Sequence, residues 1–288
     1  MRLYKGTHIC VPYNTEVGAS GDIRSQARAW ERDKEDLFML LKLIACEVFT
    51  REICHYVAKS PHIIDIEFTE KGAHNKSDYL RDLIQLKIDT SQNGIRKYDA
   101  ILLCYGLCGN GTVNLLSRNS QLVIPRAHDC CTIFLGSKKK FKKYFGDNPS
   151  LSFSSAGYLE RGDSYVHNAS ISKFLGLDKT YEDYVNLYGK ENAEFIIQTL
   201  NPALIKEKDN KVIFIETRET RYLGYAEKCK EKAQAENKEF ILLKGSSRLI
   251  KNLVFGNWNT KEFLIVKPNQ STVGIYDHNK IIYAEDVK

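Results

Sequence analysis

The sequence predicts an α/β fold: two Rossmann-like lobes on mainly parallel sheets, preceded by an N-terminal extension. Three observations predict it. From residue 41 onward, short runs of Leu, Ile and Val alternate with longer amphipathic stretches. Some runs, such as Ala100-Ile101-Leu102-Leu103-Cys104-Tyr105, are apolar throughout, as strands covered on both faces are. Strand and helix patterns alternate singly, which favours parallel pairing through right-handed crossovers.

In order, residues 41–46 read as a buried strand. Residues 48–59 follow as a helix, with Phe49, Ile53, Tyr56 and Val57 at helical spacing; Cys54 shares it and is expected in the core. Residues 62–68 alternate as a strand, and 76–88 form a helix carrying Leu80, Leu83, Ile84 and Ile88 on one face. The strand 100–105 runs into the glycine-rich turn 106–111, with a short helix expected after it. Residues 122–125 make another strand, and 132–145 close the first lobe as one helix. The second lobe repeats the pattern: strands over 151–156, 212–215, 240–243 and 263–266, helices over 221–236 and 247–255, and a hairpin of 272–276 with 280–284. A covering helix is expected over 181–200. The expected divisions are 1–38, the extension; 39–150, the lobe bearing Cys and His; and 151–288, the second lobe.

Composition excludes several functions. The formal charge of +6 over 288 residues is mild. Much of the excess lies in Lys138-Lys139-Lys140-Phe141-Lys142-Lys143, read as a solvated helix face or as a docking patch for an acidic partner. Neither an RNA-binding signature nor a paired-cysteine finger is present, so no nucleic-acid partner is expected. No apolar run approaches the ~20 residues of a membrane span, so no membrane is expected either. The start opens no apolar leader, and a cytoplasmic location follows. Eight cysteines in such a chain point to metal, catalysis or plain burial rather than disulfides.

The chemistry-bearing residues fall at predicted strand ends, where ligands of parallel sheets bind. Cys46 ends one strand and Cys108 sits in a turn with Gly106, Gly109 and Gly111. That glycine spacing is neither the dinucleotide fingerprint nor a phosphate loop. His128-Asp129-Cys130 follows a third strand and is the strongest local signal. Its imidazole and thiolate, with Cys108 and Cys46, would make a tetrahedral Cys3His zinc set. Three cysteines alone would hold a [4Fe-4S] cluster with one iron left for substrate. Without metal, Cys130 would be a nucleophile with His128 as its base. At the second lobe's strand ends, Glu160-Arg161 and Glu216-Thr217-Arg218 offer charge to a substrate carboxylate or phosphate, or pair across the cleft. Tyr222 and Tyr225 would line that cleft. Cys229, mid-helix among lysines, reads as incidental, and the other histidines as surface or structural.

The blocks Leu43-Ile-Ala-Cys-Glu-Val-Phe-Thr-Arg-Glu52, Tyr98-Asp-Ala-Ile-Leu-Leu-Cys-Tyr-Gly-Leu-Cys-Gly-Asn-Gly111 and Val123-Ile-Pro-Arg-Ala-His-Asp-Cys130 resemble an uncharacterised-domain family. Phe134-Leu-Gly-Ser137 and Phe263-Leu-Ile-Val-Lys-Pro268 resemble it too, and the likeness covers about residues 40–288. That family occurs in anaerobic bacteria and archaea, often encoded beside corrinoid-dependent methyltransferases and their reductive activators. The resemblance implies a site of Cys46, Glu52, Cys108, Asn110, Arg126, His128, Asp129 and Cys130. It sets Cys104 and Cys131 apart as features of this chain. Corrinoid binding is not expected, because the Asp-x-His-x-x-Gly motif is absent.

The expectation is therefore a metal-dependent enzyme of anaerobic one-carbon or redox metabolism acting on a small molecule. Its metal ligands are Cys46, Cys108, His128 and Cys130, with zinc ahead of a [4Fe-4S] cluster because a histidine stands among them. Glu52, Asp129 and Arg126 are the expected catalytic groups, and Asn110, Glu160, Arg218 and Tyr222 the substrate-binding ones. The other readings are an iron–sulfur or electron-transfer protein, a metal or cofactor carrier docking on a methyltransferase-system protein, and a metal-free nucleophilic enzyme.

Overall fold

The computed structural model describes residues 38–145, 153–162, 185–186, 189–190, 211–275 and 280–287. The chain divides into two units, Met1–Phe38 and Met39–Lys288, and the following concerns the second. The extension expected over 1–38 lies outside the described residues save for Phe38. The covering helix over 181–200 lies almost wholly outside them.

The fold is α/β with a mainly parallel central sheet. Its strands are β1 (Leu40–Cys46), β2 (Ile63–Thr69), β3 (Ala100–Cys104), β4 (Gln121–Pro125) and β8 (Phe263–Val266), in the order β2-β1-β3-β4-β8. The first four are parallel, and β8 closes the edge antiparallel to β4. A second sheet, β5-β6-β7, joins Phe153–Ser154, Lys211–Glu216 and Glu239–Lys244, all parallel. Strands β9 (Gln270–Gly274) and β10 (Ile282–Asp286) form an antiparallel pair. Strands β1–β4 precede residue 150 and β5–β7 follow it, while β8 carries the chain back to the first sheet within the one unit Met39–Lys288.

Alternation along the strands decides which side chains meet. Leu41, Leu43, Ala45, Leu102 and Val123 share one buried face with Ile213, Ile215 and Leu243 of the second sheet. Ile44, Ile101, Leu103, Leu122 and Ile124 face the other way, onto Leu80, Ile84 and Ile88 of α2 (Ser77–Asn93). Each fully buried aliphatic side chain contributes ~1.5–3 kcal/mol. Strands with apolar residues on both faces thus join α2 on one side and, on the other, a core shared by the helix Arg248–Val254 and the second sheet.

Helix ends deviate from expectation where glycine is required. The single helix expected over 132–145 is two: α3 (Cys130–Leu135) and α4 (Lys138–Phe145). Gly136 between them is left-handed, φ 68°, and a Cβ there would fall 2.4 Å from the Ser246 carbonyl oxygen. The helix over 221–236 is likewise a 3-10 turn, Arg221–Leu223, followed after left-handed Gly224 by α6 (Tyr225–Ala235). Turns rather than a helix occupy residues 108–114. On α4 the pattern Lys-Phe-Lys resolves as read: Phe141 and Phe145 are buried, and Lys139, Lys142 and Lys143 are exposed. Cys229, read as incidental, is a core residue: at 3% exposure it clusters with Val212 and Phe214.

Candidate thiol site at the strand tips

Because β1, β3 and β4 are parallel, their carboxyl ends share one edge of the sheet, and register sets Ala45 beside Cys104. Beyond the strands the two turns continue to pair. Leu107 N–H donates to the Ala127 carbonyl at 2.8 Å and Cys108 N–H to that of His128 at 2.9 Å. Gly106 permits this approach: a Cβ there would fall 2.5 Å from Asp129 Cα. Cys108, Gly109 and Asn110 then run left-handed in succession, φ 47°, 63° and 72°. A cysteine in that region costs about 1–2 kcal/mol, and such strain gathers at functional sites.

Cys46, Cys108 and Cys130 come together here, each half-buried and within electrostatic reach of the others. Every sulfur faces a donor. Backbone amides favour the thiolate at two of them, that of Val48 at Cys46 and those of Gly106 and Cys130 at Cys108. The Cys130 sulfur lies 2.7 Å from the Tyr158 hydroxyl. Burial nevertheless pushes the thiols up, Cys46 to about 11 and Cys108 to about 12. Cys130 is raised well above the ordinary thiol value by burial and by Cys108 and Asp129. That is the opposite of the depressed value that marks a nucleophilic cysteine. Fully buried Cys104 belongs to the core below.

The remaining expected residues each have partners of their own. His128 stacks on Phe141, ring centroids 5.3 Å apart. Among the described residues no group of three or more His, Cys, Asp or Glu is arranged to hold a metal ion. Asp129 is the N-cap of α3, accepting from the Thr132 amide at 2.9 Å. Its carboxyl is raised by burial and its charge is felt at Cys108. Arg126, expected at the chemistry, instead ties down backbone. Its guanidinium donates to the carbonyls of Thr260 at 3.0 Å, Lys280 at 2.9 Å and Ile282, fastening β10 and the turn before β8. Asn110 is an exposed turn residue whose carbonyl accepts from Val113 N–H at 3.1 Å.

Glu52 belongs to α1 (Thr50–Val57) and is 1% exposed. One carboxyl oxygen accepts from the Thr217 hydroxyl at 2.7 Å; the other, Oε2, is buried without a partner. Burial raises this carboxyl to about 7 despite the Thr217 hydrogen bond. Thr217 follows β6, so Glu52 stands at the carboxyl end of the second sheet. The same end reaches the thiols through α5 (Ala156–Glu160), where Tyr158 meets Cys130. Gly157 makes that packing possible, since a Cβ there would lie 1.7 Å from the Val48 carbonyl oxygen.

A family model described as Protein of unknown function (DUF1638) matches residues 68–254. The chain belongs to the DUF1638 family. The DUF1638 match includes Cys108, Asp129, Cys130 and Tyr158, while Cys46 and Glu52 precede it. No curated protein and no solved structure matches the chain.

A cavity of about 540 Å³ adjoins this site, with Thr50, Arg51, Cys54, Glu160, Arg161 and Tyr222 in its wall. Glu160 accepts from Arg51 Nε at 2.6 Å and from the Tyr225 hydroxyl at 3.3 Å. Tyr222 is 76% exposed at the rim, and Arg218 is exposed. Cys54 is not core: it stands in the cavity wall, exposed, because the helical turn that buries Ile53 rotates its neighbour outward. Tyr158 was missed by sequence reasoning. The signal available was the run of small residues Ser154-Ser155-Ala156-Gly157 before it, which allows close approach of backbone.

Proposed function

We propose that the protein is a metal-dependent enzyme whose Cys46, Cys108 and Cys130 hold an iron–sulfur cluster where the strand tips of the two sheets meet. The observation that carries this reading is that each of the three sulfurs is served by a donor, a Val48 amide, the Gly106 and Cys130 amides, or the Tyr158 hydroxyl. Donors aimed at sulfur suit thiolates, and such hydrogen bonds tune clusters. Three thiolates beside Asp129 need a multivalent cation to balance them, and binding it supplies the drive to deprotonate. A cluster spreads its ligands over several irons, so three thiols suffice without converging on one point. A zinc site would add His128, whose ring stacks on Phe141.

With three protein thiolates, such a cluster supplies one iron open to substrate as Lewis acid or electron conduit. Glu52, poised near neutrality, gives or takes a proton, and Asp129 holds the start of α3 that carries Cys130. The resemblance to proteins encoded beside corrinoid-dependent methyltransferases supports an anaerobic redox or one-carbon setting.

The test is metal analysis with an absorption spectrum, on protein purified without oxygen beside Cys130→Ser. The expected result is brown protein with about four irons per chain, lost in the variant. Colourless protein with about one zinc per chain would return the assignment to a zinc site, and absence of both metals would end the metal reading.

A further inference from the structure

We propose that the cavity beside the thiols binds the anionic group, carboxylate or phosphate, of a small-molecule substrate through Arg51. Its role as the substrate pocket rests on reading the thiols as the reacting centre; the binding does not. About 540 Å³ is room for a small metabolite. The wall holds two guanidiniums and two carboxylates, and the carboxylates are already engaged. Glu160, its side chain 12% exposed, accepts from Arg51 and Tyr225 and pairs with Arg161 at 3.6 Å. Glu219 accepts from the Tyr56 hydroxyl at 2.6 Å and the Ser247 hydroxyl at 2.7 Å. Glu160 thus stands behind both guanidiniums and orients them, while Glu219 is taken up by hydroxyls. Arg51, its side chain 40% exposed, is the group presented to the cavity, with its NH1 on the Tyr222 hydroxyl at 3.4 Å. A guanidinium pinned from behind is a preorganised anion ligand.

The cavity also adjoins the thiols. Arg161 bonds Glu47 and Thr50, at 3.1 and 2.9 Å, and its charge is felt at Cys46. An anion on Arg51 would therefore hold the rest of its molecule beside the Cys46 edge of the site.

The test titrates the full-length protein with inorganic phosphate and with succinate, at ionic strength held constant with chloride. Calorimetry reads binding, and the alkylation rate of exposed Cys54 reads occupancy. One or both anions should bind saturably at about one per chain and slow alkylation severalfold, and Arg51→Gln should weaken binding about tenfold. Arg51 is exposed enough for that variant to fold, which its melting temperature checks. Cys130→Ser should keep the anion site. If neither anion saturates, or if Arg51→Gln binds as the parent does, the inference is overturned. Iron without anion binding removes the pocket alone, and anion binding without iron or zinc removes the metal reading alone.

Discussion

The Tyr158 hydroxyl lies 2.7 Å from the Cys130 sulfur, and through this contact the second sheet reaches the thiols of the first. A hydroxyl donor on a ligating sulfur stabilises the more electron-rich state of a metal centre. Tyr158→Phe removes the donor and keeps the ring that packs on Phe153, with centroids 5.5 Å apart. A charge-assisted hydrogen bond of ~1.5–3 kcal/mol, only partly redox-dependent, corresponds to a midpoint potential lowered by on the order of 50 mV. Potentiometry on both proteins checks it, and equal potentials would show that the hydroxyl has no electronic role.

Gly106→Ala tests the joining of the two turns. Its methyl would fall 2.5 Å from Asp129 Cα and drive the Cys108 turn from the start of α3. Overpacking costs about 1–3 kcal/mol, so a lowered melting temperature is expected together with loss of metal. Full metal content in a destabilised variant would mean that thiol spacing does not depend on this approach.

Glu52 gives stability a pH dependence of definite sign. Its folded-state value, about 7, is raised above the ordinary 4.5 by burial, with Glu219 and Glu160 adding and Thr217 opposing. The folded state therefore holds the proton more tightly. The contribution is fully present below about pH 4.5 and is lost as pH rises through 7. The whole effect is about 3 kcal/mol at most. Glu52→Gln, which still accepts from Thr217, should be more stable than the parent at pH 8 and lose that advantage near pH 5. Thermal melts at the two pH values decide, and parallel curves would refute the shift.

Arg126→Ala should behave as a structural variant. Three carbonyls lose a charged donor; the Thr260 and Lys280 bonds are exposed and only the Ile282 bond is part-buried, so the cost is about 1 kcal/mol. Denaturant midpoints should fall while metal content stays at the parent level. Metal loss in folded protein would restore Arg126 to the site.

Much of this was legible in the sequence because it depends on local pattern. Leu41, Leu43 and Ala45 alternate with Lys42 and Ile44, and that period fixes a strand whatever lies nearby. Cys46, Cys108 and Cys130 were readable as neighbours because parallel strands put their ends on one edge. The stacking of His128 on Phe141, from the next helix, was not legible, because it depends on how α4 packs. Cys54 was placed in the core by a periodicity that tolerates one position of rotation.

The sequence by itself determined the α/β class, most strand positions and the three thiols at the strand tips. Each follows from residue period and chain direction, which are properties of short segments. Only tertiary structure decided that β8 returns to the first sheet, that Arg126 binds carbonyls and that Tyr158 meets Cys130. It alone decided, too, that Glu52 is buried with an unpartnered oxygen. Those outcomes join residues 28 to 165 positions apart or set a group's solvation, and both arise only once the two sheets have packed.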